Sequence, residues 1–127
     1  MKTEVRIIRA QDFIKATPEG DLDFAKSRAL LFQMLEARKG LRDYAVILDT
    51  RKARSRLSAQ ELWHLACELE RLEDRFLRRT AIICPQTRFE MAKFFALCAE
   101  KQGFETRAFV NFEEAMEWLA SFDQPGL

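Results

Sequence analysis

A chain of 127 residues suits one domain with a two- or three-layer core and makes a second domain unexpected. Its 21 Lys and Arg nearly cancel its 20 Asp and Glu, which excludes both a global basic field for nucleic acid and an acidic excess favouring disorder. Three cysteines, odd in number and without close pairing, suggest neither a disulfide framework nor a zinc site, so reduced thiols and a cytoplasmic location are expected. The opening MKTEVRIIRAQDF holds only a short apolar run broken by charge. It is neither a signal-peptide core nor a membrane span, and no other stretch is long enough to insert into a bilayer.

Val5–Ala10 is short and β-branched, which predicts a strand, and a second is expected at about Asp12–Thr17, with Pro18-Glu19-Gly20 as the turn after it. From Asp21, a candidate N-cap, the period changes. Phe24, Leu31, Met34 and Leu35 recur at helical spacing and Gly40 is placed to close that helix. Tyr44–Asp49, YAVILD, is a continuous apolar run, as in a strand buried on both faces. Ser58 with Glu61 forms a capping box ahead of a helix whose inward stripe is Leu62, Leu65, Ala66, Leu69, Leu72 and Phe76.

Thr80–Cys84 reads as another central strand, followed by Pro85. A third helix is expected from a Thr87 cap through Gln102, closed by Gly103, and a last strand at Thr106–Val110. Asn111 with Glu114 repeats the capping-box spacing before FEEAMEWLASF, and the tail, residues 123–127, is expected to fray. The order β-β-α-β-α-β-α-β-α predicts a single-domain α/β fold over residues 1–122, with a mostly parallel five-stranded sheet and about four helices.

In such a sheet ligands gather at the carboxyl ends of the strands, where helix N-termini also point. One loop leaving that edge carries Arg51, Lys52, Arg54 and Arg56, and Arg88 and Ser58 are expected on the same edge. This points to a phosphate, a carboxylate or an acidic protein surface, although a solvated loop explains the charges as well. No GxGxxG or Walker pattern accompanies them, so nucleotide binding of those kinds is not expected, and no cofactor or metal is implied.

The third helix is apolar on more than one stripe, with Phe89, Phe94 and Phe95 prominent. It is either deeply buried or turned partly toward a second subunit or an apolar ligand, and Trp63 and Trp118 are candidates to extend such a surface. His64 lies off the inward stripe of its helix and lacks a nucleophile partner. Cys84, at a strand end before a helix start, sits where a thiol pKa can be lowered. Asp43, Asp49 and Glu90 show no pairing in sequence, so no catalytic set can be named.

The succession YAVILD, LSAQELWHLACEL, TAIIC, FEMAKFFALCAEKQG and TRAFVNFEEAMEWL resembles the SpoIIAA-like group of the STAS superfamily. The ending F-x-x-x-x-E-A-x-x-W-L, from Phe109 to Leu119, is the most recognisable part. The resemblance implies a STAS-like or CRAL-TRIO-like fold and a non-enzymatic regulatory or ligand-sensing module. It also implies a phosphorylatable serine, with Ser58 the corresponding position and Ser55 a second choice, where Arg neighbours and the helix N-terminus favour phosphate. The chain has Leu57-Ser58-Ala59-Gln60 where the antagonists of that superfamily carry Asp-Ser-Ser-Gly.

Two functions are therefore expected from different classes. One is a regulatory module binding a protein partner or small anion at the 50–58 edge; the other carries or senses an apolar ligand on helix 87–102. A homodimer is compatible with either.

Overall fold

Each strand that is followed by a helix is returned to the same end of the sheet, so successive strands run parallel. The computed structural model describes residues 4–9, 13–37, 45–71 and 79–121. In chain order these form β1 (Glu4–Arg9), β2 (Phe13–Leu22), α1 (Phe24–Ala37), β3 (Ala45–Asp49), β4 (Ala53–Ser55) and α2 (Ala59–Arg71). There follow β5 (Arg79–Ile83), a 3-10 turn (Gln86–Arg88), α3 (Phe89–Lys101), β6 (Glu105–Phe109) and α4 (Phe112–Ala120).

The main sheet runs β1-β2-β3-β5-β6, antiparallel between β1 and β2 and parallel beyond. The expected five-stranded path and four helices are present. The addition is β4, three residues inside what reads as a basic loop, which pairs in parallel with the far end of β2.

From β2 onward the strands are added in one direction, so right-handed crossovers put α1, α2 and α3 on one face. The packing agrees. Val46 joins Ile14, Ala16, Leu31, Met34 and Leu65 in the core under those three helices. On the other face Ile47, Ala81, Ile83 and Phe109 pack against Ala115 and Leu119 of α4. Neighbouring residues of β3 thus serve opposite cores, as the period of two requires.

Pro18-Glu19-Gly20 does not turn the chain, contrary to the sequence expectation; β2 runs through it to Leu22. β3 pairs with β2 only as far as Ala16, and the pairing with β4 starts at Gly20. Pro18 falls in the gap between those partners, a ladder break where proline is tolerated. Gly20 takes φ 88°, which a side chain disfavours, and leads the chain into the β4 pairing.

Because Asp21 stays in β2, the cap of α1 is Asp23 instead. Its Oδ1 accepts from the Lys26 N–H at 2.8 Å. Thr87 likewise does not cap the third helix: Pro85, with φ −67°, starts a 3-10 turn in which the Arg88 N–H donates to the Pro85 carbonyl at 3.0 Å.

The two remaining caps match their sequence signatures. The Glu61 N–H donates to Ser58 Oγ at 3.2 Å and the Ser58 N–H to Glu61 Oε1 at 3.0 Å, a reciprocal box. Asn111 Oδ1 accepts from the Glu114 N–H at 2.8 Å.

Helix α3 ends as Gly103 predicts. Gly103, at φ 94°, donates to the Glu100 carbonyl at 3.0 Å and Phe104 to that of Ala99 at 3.1 Å, the paired bonds of a Schellman closure. Phe104 then drops into the core beside Ala99. The expectations for Ala10, Gly40, Tyr44, Leu72, Phe76 and the tail fall outside the described residues.

Candidate functional site

Beneath α1, α2 and α3 the core is incomplete. A cavity of about 180 Å³ lies between these helices and the sheet. Its inner walls are Leu30, Met34 and Leu65, all buried, while Ser55 and Met91 among its lining residues are exposed. The cavity therefore opens at the carboxyl ends of the strands, beside the segment that carries Arg51–Ser58.

The strands explain the lining. Leu48 on β3, Thr80 and Ile82 on β5, and Cys84 just past its end take alternate positions, so one side chain in two faces the cavity. The rim is polar where the regular ladder ends. There the Thr50 N–H and Oγ1 both donate to the Ile83 carbonyl, at 2.8 and 2.9 Å, extending the β3–β5 pairing by one residue.

Arg88 reaches this rim from the start of α3. Its Nη2 donates to the Thr50 carbonyl and its Nη1 to that of Ala53, both at 2.7 Å. The side chain ties the first turn of α3 to the β3–β4 connection, as a planar guanidinium can and a lysine cannot. Sequence reasoning places Arg88 at this edge; its backbone partners, Thr50 and Ala53, become visible only in three dimensions.

Arg51 turns to Asp49, with Nε donating to Oδ1 at 2.9 Å and Nη2 to Oδ2 at 2.8 Å, a bidentate pair. Lys52 lies 3.8 Å from Glu19, an exposed pair of little energetic weight. Arg54 and Arg56 are exposed, and Arg56 donates its backbone N–H to the Leu22 carbonyl at 3.2 Å. The Ser58 hydroxyl is engaged in the α2 cap. The basic edge is thus a mixture: two guanidiniums are committed to the protein, and Arg54 and Arg56 extend into solvent near the cavity mouth.

Burial pushes the Asp49 carboxyl up, but the bonds from Arg51, helped by the charge of Lys15, outweigh it and hold the pKa below its ordinary 3.8. A depressed carboxylate contributes stability that is full above its unfolded pKa and lost as pH falls through the folded value. Asp49→Asn is accordingly expected to cost about 1–2 kcal/mol at neutral pH, discounted because Arg51 is partly exposed. The gap to the wild type should close below pH 3.8. Urea melts of both proteins across that range check this; a gap independent of pH sinks the ion-pair account.

For Cys84 the structure reverses the expected direction. Burial raises its thiol pKa, and the charge of Arg88 only partly opposes this; Sγ lies 3.5 Å from the Phe109 carbonyl. An inert, buried thiol is the result. His64 is exposed, as its helical position predicts. Among the described residues no three His, Cys, Asp or Glu side chains gather as a metal site, and no helix among them is long and apolar enough to cross a membrane.

The aromatic residues of α3 divide. Phe95 lines the cavity. Phe89 is half-buried with the Lys93 ammonium 5.1 Å from its ring centre, and Phe94 is exposed along with Met91 and Leu97. Trp118 is half-buried, its ring 5.8 Å from that of Phe109, whereas Trp63 is exposed.

The architecture is similar to that of an uncharacterised protein of the DUF3478 family from Shewanella loihica PV-4, a crystal structure with a SpoIIAA-like fold. The two align with a TM-score of 0.59 over 92% of this chain and 93% of that one, at 18% sequence identity. The chain has a SpoIIAA-like fold. No family model and no curated protein sequence matches it. At such identity the likeness extends to the fold alone, and function has to be argued from the site.

Proposed function

We propose that the protein is a non-enzymatic sensor or carrier of a small apolar ligand, held in the cavity between the sheet and α1–α3. The observation that carries this reading is the cavity itself. Native interiors are packed to crystal-like density, and a void of this size inside a 127-residue domain forfeits packing energy that evolution readily recovers by enlarging a neighbour. An apolar space of roughly 150 Å³ takes a molecule such as benzene. The 180 Å³ here therefore suits a compact apolar group.

The mouth lies beside Ser55 and Leu57, so the exposed Arg54, Arg56 and α2 cap flank it. On this reading the same edge is the surface on which a protein partner would sense whether the cavity is filled. The free thiols Cys67, Cys84 and Cys98 fit a reducing, cytoplasmic setting.

The test uses 1-octanol as the probe, with binding followed by calorimetry. Ala92 lines the cavity from α3, and Ala92→Leu places three further carbons there. The expected result is at least about a tenfold loss of octanol affinity, with stability changed by less than about 1.5 kcal/mol because the added volume enters empty space. Unchanged octanol binding in a folded Ala92→Leu protein removes the cavity as the site.

A further inference from the structure

Among the described residues, the lining of the cavity holds one charge and no counter-charge. Arg88 is the one ionised side chain among the described residues that line it, and no described Asp, Glu or Lys borders it. A guanidinium carries five N–H donors, and the bonds to the Thr50 and Ala53 carbonyls use two of them. Among the described residues Arg88 forms no ion pair with a carboxylate, so its charge faces carbonyl dipoles on one side and the cavity rim on the other.

A half-buried cation beside an apolar space is best satisfied by an anion in the same surroundings, because charge-assisted bonds strengthen where water is scarce. The shape adds a direction. The charged rim stands at the carboxyl ends of the strands, whereas Met34, near the end of α1, and Leu65 close the apolar depth.

We infer that the occupant is an amphipathic monoanion: a carboxylate whose head group rests on the remaining N–H groups of Arg88 and whose tail extends inward. By comparison with a benzene-sized cavity, the tail holds about six to seven carbons. The inference rests on the cavity being a ligand site, as proposed above, and specifies the ligand class for it. The guanidinium fork matches a carboxylate bidentately, which selects against a neutral alcohol or an amine of the same length.

Octanoate, 1-octanol and octylamine are titrated in parallel into the wild-type protein at neutral pH by isothermal titration calorimetry. Octanoate is expected to bind about tenfold tighter than 1-octanol, and octylamine weakest. In Arg88→Met the preference for octanoate should vanish while 1-octanol still binds; in Arg88→Lys part of it should return. The wild-type comparison stands even where a variant folds poorly. Should 1-octanol bind as tightly as octanoate, the Arg88 head-group site is wrong and the apolar cavity reading survives. Should none of the three bind, both are overturned.

Discussion

Arg88→Met is expected to lower the stability of the protein by about 2–4 kcal/mol, read from urea unfolding with an unchanged slope. Two short bonds, to the Thr50 and Ala53 carbonyls, disappear together. Methionine matches the aliphatic stem but donates nothing, so two partly buried acceptors lose charged donors. The consequence concentrates on β4, which is only three residues long and has β2 as its pairing partner. Amide exchange at Ala53 and Arg56 should therefore quicken more than exchange in β3 or β5. Arg88→Lys should recover little of the stability, because one ammonium does not span both carbonyls with fork geometry. A loss below about 0.5 kcal/mol, the range of ordinary surface changes, would show that the connection is held by its backbone alone.

The second large effect separates adjacent residues. Ile47→Ala should cost about 3–4 kcal/mol, whereas Leu48→Ala should cost only about 1–2 kcal/mol, although each deletes three carbons. Ile47 is fully buried against Ala81, Ile83 and the inward side of α4. Leu48 faces the other way and borders the cavity, so part of its surface has no neighbours to lose. The same truncation at Leu48 enlarges the cavity and should improve binding of 1-decanol relative to 1-octanol, a change Ile47→Ala should not produce. Chemical denaturation and calorimetry on the two variants decide the matter. Equal destabilisation would mean that the space beside Leu48 closes up in solution.

The half-exposed Asp49–Arg51 pair and the carbonyl clamp at Arg88 share one lesson about basic loops. Four cations within six residues read as an anion site or as solvated charge, and each reading fits part of the set. Arg51 is spent on a carboxylate two residues away, a spacing visible in sequence as Asp49-Thr50-Arg51 but informative only once the strand end turns them together. Arg54 and Arg56 are exposed, and their segment forms a strand edge that sequence alone reads as a loop.

Local chemistry determined a good deal without the fold. The reciprocal Ser58–Glu61 box, the Asn111 cap and the Gly103 closure are interactions between residues a few positions apart, so their signatures survive in any tertiary setting. The alternation of strands and helices and their apolar periods likewise led to a mostly parallel sheet, because the handedness of crossovers leaves few other arrangements.

Tertiary structure decided the remainder. Pro18 and Gly20 signal a turn in isolation; only the interrupted pairing of β2 with β3 and then β4 makes a strand through them possible. Asp21 and Asp23 are equivalent caps by residue type, and the length of β2 chose between them. The cavity was invisible for the same reason: it is volume left among three helices and a sheet, and aliphatic lining residues such as Leu31, Met34 and Leu65 read separately as ordinary core. Sequence periodicity reports which side chains face inward, but whether those side chains meet depends on helix spacing, a distance set by contacts between residues far apart in the chain.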